Sequence, residues 1–175
     1  MRFKPFTSIL ALILGISTSV ASTAQNLAVN SDRTHDEWIA LGEAVHGGFG
    51  SHIALGIRIG QDALQRLGAK RREVNVKVTE GKNSPCACVA DGIMIATSTS
   101  PGQKSLVVAP KTEDATYMTM IEVTHKANGA TVSYQVPASS MEPLARMNPG
   151  TSPRQRLDMV FGMPAGQLFE LTGAR

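Results

Sequence analysis

From about residue 36 the apolar positions recur at helical spacing. Trp38, Ile39, Leu41 and Val45 form one stripe on a helix that Asp36 caps and that runs to about Val45. His46-Gly47-Gly48-Phe49-Gly50 interrupts it, because three glycines in five residues cannot continue a helix cheaply. Ser51 then caps a second helix, with Ile53, Ile57, Leu64 and Leu67 on one face and Gly68 at its end. Gly56 and Gly60, four apart, leave a flat strip where another backbone can approach. Val74, Val76 and Val78 alternate with Asn75, Lys77 and Thr79, the period of a half-buried strand. Val89 to about Thr97 suits a short apolar helix, and Leu106-Val107-Val108 a short strand. Strands over about 116–125 and 130–136 flank Asn128-Gly129, a strong hairpin signal. The tail reads as one or two short helices starting near Arg154 and Pro164. The predicted class is α+β: N-terminal helices packed on a mainly antiparallel sheet, with short C-terminal helices.

The residues before this pattern read differently. Arg2 and Lys4 precede an uncharged, mostly apolar run from Phe6 to Val20, and Ser22-Thr23-Ala24 offers a small-residue cleavage pattern. That is the anatomy of a secretory signal peptide over residues 1–24, and the run is short for a membrane span of about 20 residues. A flexible leader over 25–35 and one α+β domain over 36–175 complete the expected organisation. The expected location is the periplasm or the exterior, with no membrane contact after cleavage.

Charge changes the picture little. The chain of 175 residues carries a formal net charge of +3, and losing Arg2 and Lys4 with the signal leaves about +1. Lys70-Arg71-Arg72 is too short for a nucleic-acid patch and reads as a solvated loop, and aromatic residues are too few for a stacking platform. Nucleic acid is therefore not an expected partner. The two cysteines, Cys86 and Cys88, exclude a disulfide-rich scaffold and a four-cysteine zinc finger.

The candidate chemistry comes from two places. His46 ends a helix beside the glycine-rich loop, and His52 opens the next helix. Cys86 and Cys88 stand at another loop-to-helix junction, followed by Asp91. Thiolate and imidazole are ligands for zinc and copper, and a helix N-terminus lowers a thiol's pKa. Two other readings stand beside this one. The histidines serve equally as helix-end hydrogen-bonding groups. Two cysteines separated by one residue in extended chain are also close enough for a local disulfide, which closes almost no loop.

Two blocks resemble a known family. His46-Gly47-Gly48-Phe49-Gly50-Ser51-His52 through Leu55-Gly56-Ile57-Arg58 is similar to the opening signature of the FmdE-like family of formylmethanofuran dehydrogenase proteins. Cys88-Val89-Ala90-Asp91-Gly92-Ile93-Met94 through Thr97 to Gly102 and Leu106 resembles its second block, and Met163-Pro164 to Leu168-Phe169 its closing element. The resemblance implies an α+β core, often dimeric, with His46, Cys88 and Asp91 in a metal-binding or active site. The chain departs from the pattern at Gly48, where a second histidine is expected, and at Met94, Ser98-Thr99 and Gln103. No cysteine follows Cys88, so the C-terminal zinc finger of many members is absent from this sequence.

The leading expectation is an exported metal-binding protein. Its ligands would be His46 and Cys88, with Cys86 or His52 as a third, and its metal a divalent ion, zinc before copper. Asp91 would orient His46 or only stabilise its own helix start. A second expectation is a thiol enzyme with Cys88 as nucleophile, His46 as base and Cys86 as resolving thiol. A third is a non-catalytic module for a small molecule or partner. Met118 and Met120 extend the copper variant if both face one way on a strand. The Gly56/Gly60 strip points to a homodimer that completes the site, or to close packing inside one chain.

Overall fold

The valine alternation at 74, 76 and 78 becomes the inner face of the second strand of a five-stranded sheet. A computed structural model describes residues 33–174, so the segment expected to be a signal peptide and most of the expected leader lie outside the described residues. The elements are α1 (His35–His46), α2 (Ser51–Leu67), β1 (Val74–Glu80), α3 (Cys88–Thr97), β2 (Leu106–Ala109), β3 (Tyr117–His125), β4 (Thr131–Pro137), α4 (Met141–Arg146), α5 (Pro153–Gly162) and β5 (Glu170–Ala174). Strand order is β2-β1-β3-β4-β5; only β1 and β2 run parallel, and the other neighbours are antiparallel. The class is α+β, with N-terminal helices, a mainly antiparallel sheet and short C-terminal helices.

Helix α2 is the centre of the molecule. Nearly every residue from Ser51 to Ala63 is buried, as an apolar helix enclosed by other elements must be. Two charged side chains lie within that buried stretch and both are paired. Arg58 donates at 2.6 Å to the carbonyls of Val160 and Met163, satisfying the orphan C-terminal carbonyls of α5. Asp62 accepts from Arg66 and from the Tyr134 hydroxyl, each at 2.6 Å, which ties the helix to β4.

The glycine strip has an occupant within the chain. A Cβ on Gly56 would lie 2.2 Å from the Val89 carbonyl oxygen, and one on Gly60 would lie 2.7 Å from Ala96 Cβ. Helix α3 thus fills the strip that sequence reading offered to a second copy, and a partner cannot use it.

Several boundaries differ for identifiable reasons. Thr34, not Asp36, caps α1, because Thr34 and Glu37 form a reciprocal capping box. Gly50 precedes α2, and the Ser51 hydroxyl donates to the Leu144 carbonyl at 2.6 Å instead of capping. In the basic run, Arg71 is not simply solvated: its guanidinium lies over the buried Trp38 ring and its Nε donates to Ala96 O at 3.2 Å. A bulge at Tyr117–Thr119 breaks the alternation of β3 and sends Met118 into the core, while Met120 lies on the sheet's outer face. The two sulfurs therefore do not form a copper-ligand pair. α4 and β5 have no counterpart in the sequence reading.

Candidate functional site

The site begins with the glycine that ends α1. Gly47 adopts φ +81° and its N–H bonds to Glu43 O at 2.9 Å, so the helix stops with His46 on its last turn. The loop that follows is fastened to the C-terminal region. Arg156 donates to Phe49 O at 2.8 Å and to the carbonyls of Asn148 and Thr151 at 2.7 Å. Asn148 Oδ1 accepts from Ser51 N at 3.1 Å. Phe49 is buried in the core.

Fixed in this way, the His46 ring meets α3. Its Nδ1 lies 2.7 Å from Asp91 Oδ2. A carboxylate only accepts, so Nδ1 carries the proton and Nε2 is the ring's other, uncommitted nitrogen. The two side chains are each about one-third exposed, and solvent reaches the pair. Asp91 sits in the first turn of α3, where its charge also suits the helix dipole. The orienting and helix-stabilising positions considered for this carboxylate are one position.

Cys86 and Cys88 are joined by a disulfide, with Cα atoms 5.3 Å apart. Cys88 is the first residue of α3, and both cysteines are half-buried. His46, Asp91, the disulfide, Met94 and, from β2, Leu106 and Val108 line one groove of about 390 Å³. A hollow of about 620 Å³ lies on the outer face of the sheet, but threonines, serines and the Lys77–Glu122 ion pair dominate it, and it holds no histidine or cysteine. Of these two hollows, the smaller one brings a histidine and the cysteines together.

The structure therefore brings together His46, Cys86, Cys88 and Asp91, but not His52. That residue is 8% exposed and does not line the groove, and its Nε2 has no hydrogen-bond partner among the described residues. Burial alone lowers its pKa below the usual imidazole value. Thr99, where the family pattern has a cysteine, is buried beyond the C-terminal end of α3, opposite Cys88, and bonds to Thr97 at 2.9 Å.

As ligands for the expected zinc or copper, these groups do not fit in the form described. The sulfurs are bonded to each other, His52 lies elsewhere, and no three His, Cys, Asp or Glu among the described residues converge on a common point. Among the described residues no helix is long and apolar enough to cross a membrane.

Sequence reading missed the parts that build the groove. Met94 stands three residues after Asp91, and that helical spacing was a usable signal. Leu106 read as a strand residue at the end of the second family-like block, Val108 only as a strand residue, and Arg156 and Asn148 carried no signal at all. No curated protein matches the chain. The family model described as FmdE, molybdenum formylmethanofuran dehydrogenase operon, matches residues 45–158. That span runs from the last turn of α1 into α5 and takes in every residue of the His46–Asp91 pair and the disulfide, and the chain belongs to the FmdE family.

Proposed function

We propose that the groove is a thiol–disulfide exchange site. The observation that carries the reading is the shared wall: a His–Asp pair and a two-cysteine disulfide face the same half-open cavity. Exchange proceeds when a substrate thiolate attacks Cys86 Sγ. A new sulfur–sulfur bond forms there, the Cys86–Cys88 bond breaks, and its electron pair leaves on Cys88 Sγ. Cys88 suits the leaving role because it opens α3, where backbone amides stabilise a thiolate. His46 Nε2 takes the proton from the incoming thiol and returns it to Cys88, with Asp91 holding the ring. A second thiol on the substrate then displaces Cys86. The net change is a substrate dithiol oxidised to a disulfide and Cys86–Cys88 reduced to a dithiol. The protein disulfide is restored by the reverse exchange with another disulfide. Export after cleavage at Ala24 belongs to the same proposal, since disulfides persist outside the reducing cytosol.

The test is the rate at which a dithiol reduces Cys86–Cys88, followed by alkylation and mass measurement. His46→Gln should slow it about a hundredfold, the lower end of the range for a general base, and Asp91→Asn should slow it less. A wild-type disulfide that resists excess dithiol at neutral pH overturns the proposal.

A second reading concerns the reduced protein. Opening the disulfide frees two thiolates in the groove that His46 lines, three donors of kinds that zinc accepts. Zinc would there act as a Lewis acid or hold the reduced form closed. Stoichiometric zinc retention by the chain reduced with a phosphine, lost in His46→Gln, together with a disulfide that dithiols do not open at neutral pH, supports this reading over exchange.

A further inference from the structure

β2 is the terminal strand of the sheet and forms one wall of the groove. Its parallel register with β1 pairs Val76 with Leu106 and Val78 with Val108, and Val76 N–H donates to Ser105 O at 2.8 Å. In a parallel ladder that bond fixes the rest. The amides of Val107 and Ala109 turn toward β1, and those of Leu106 and Val108 turn outward. The Leu106 amide is taken by Ser100 O at 3.3 Å. The Val108 N–H and the Leu106 and Val108 carbonyls have no partner among the described residues. The edge is four residues long and is bounded by Lys104, Pro110 and Lys111, but its middle is open. No charge or proline interrupts Leu106–Ala109, and Val107 and Val108 are 53% and 45% exposed.

We infer that the substrate of this site is a cysteine thiol carried on an extended polypeptide segment that pairs with the free edge of β2. This inference rests on the exchange chemistry proposed above. The groove selects each part of that description. A disulfide reacts with a thiol, and an open strand edge takes extended backbone. The apolar walls at Leu106, Val108 and Met94 favour uncharged side chains two positions to either side of the cysteine. An added strand lies about 4.8 Å outside β2, and its side chains alternate between the two faces of the sheet. Leu106 and Val108 point to the groove side and Val107 to the other. A cysteine in step with Val108 therefore faces the side on which Cys86–Cys88 stands, and its neighbours pass over Val107. β5, the other edge strand, borders no such groove, so its edge lacks this chemistry.

The test compares three thiols on the wild-type chain by the rate of mixed-disulfide formation. One is an eight-residue peptide of alternating valine and threonine around a central cysteine. The second is the same peptide N-methylated at alternate residues on its pairing edge, and the third is glutathione. Two backbone hydrogen bonds of ordinary strength amount to about tenfold, so the first peptide should react about tenfold faster than its methylated form. Val108→Pro removes the outward amide, which an edge strand tolerates. It should bring the first peptide down to the rate of its methylated form. Equal rates for both peptides, measured on wild type with no variant involved, overturn the inference and leave the exchange reading standing. A disulfide inert to all three thiols overturns both. If sedimentation shows wild type self-associating, Val108→Pro monomeric and neither peptide favoured, the edge belongs to a second copy and the inference is wrong.

Discussion

His52 occupies the second position of α2, where a histidine is nearly sealed from water with one ring nitrogen unpartnered among the described residues. Burial penalises its charged form and pulls its pKa below 6.5. The unfolded chain, by contrast, protonates it near that value. Between the two the unfolded state binds more protons, so stability falls as pH drops below about 6.5 and continues to fall until the folded pKa is reached. His52→Leu should remove that dependence: urea midpoints at about pH 7.5 and pH 5 should lie closer together for the variant than for wild type. An equal spread in both would show that His52 does not titrate in this way. The same scale shows why single residues were unevenly legible. Arg58 belongs to the Leu-Gly-x-Arg signature, but its role needs the carbonyls of Val160 and Met163, about a hundred positions away. His46, Cys88 and Asp91 could be nominated from sequence because their residue types carry chemistry. Which of them meet depends on how α1 crosses α3, and no local pattern encodes that.

At the scale of elements, the α2–α3 crossing is the joint on which the groove depends, because Cys88 and Asp91 ride on α3. Gly56 and Gly92 let the two backbones nearly touch: a Cβ at Gly92 would lie 2.2 Å from Ile53 O, as one at Gly56 would from Val89 O. The obstructing atoms are backbone, so no side chain can rotate out of the way. Gly56→Ala gains helix propensity of up to about 1 kcal/mol but must push the helices apart. A net loss of about 1–2 kcal/mol is expected in denaturant unfolding, with slower exchange at the disulfide as Asp91 moves off His46. A stability at or above wild type would mean that the crossing is looser than the Cβ distances require. Elements with a strong local signal were predicted well. The β3–β4 hairpin was announced by Asn128-Gly129, and β1 by its valines. Helix α4 spans only six residues and contains Pro143, and β5 carries Gly173 and a mostly exposed pattern. These two form because α2, the Asn148–Arg156 region and β4 give them surfaces to lie on, information that is non-local.

For the whole molecule, the central issue is whether Cys86–Cys88 holds the fold together or only serves the groove. The core around α2 closes without it: α3 is anchored through its glycine crossing, through Arg71 on its C-terminal carbonyl and through the pairing of His46 with Asp91. The segment before Cys86 is tied separately, by the Ser84 hydroxyl on Glu80 at 2.9 Å and by Lys111 Nζ on Ser84 O at 2.7 Å. A disulfide two residues in span removes little chain entropy, about 1–2 kcal/mol by loop closure. A bridge that stabilised the whole fold would span distant elements. This one joins a loop to the adjacent helix start, so it can open and close while its surroundings stay in place. The double variant Cys86→Ser, Cys88→Ser should therefore keep wild-type far-UV circular dichroism and lose no more than about 1–2 kcal/mol in urea unfolding. Wild type unfolded in reductant should match the variant. A loss of about 4 kcal/mol or more (the cost of removing a long-range structural disulfide) would assign the bridge to stability and take away the main reason for reading it as a reactive group.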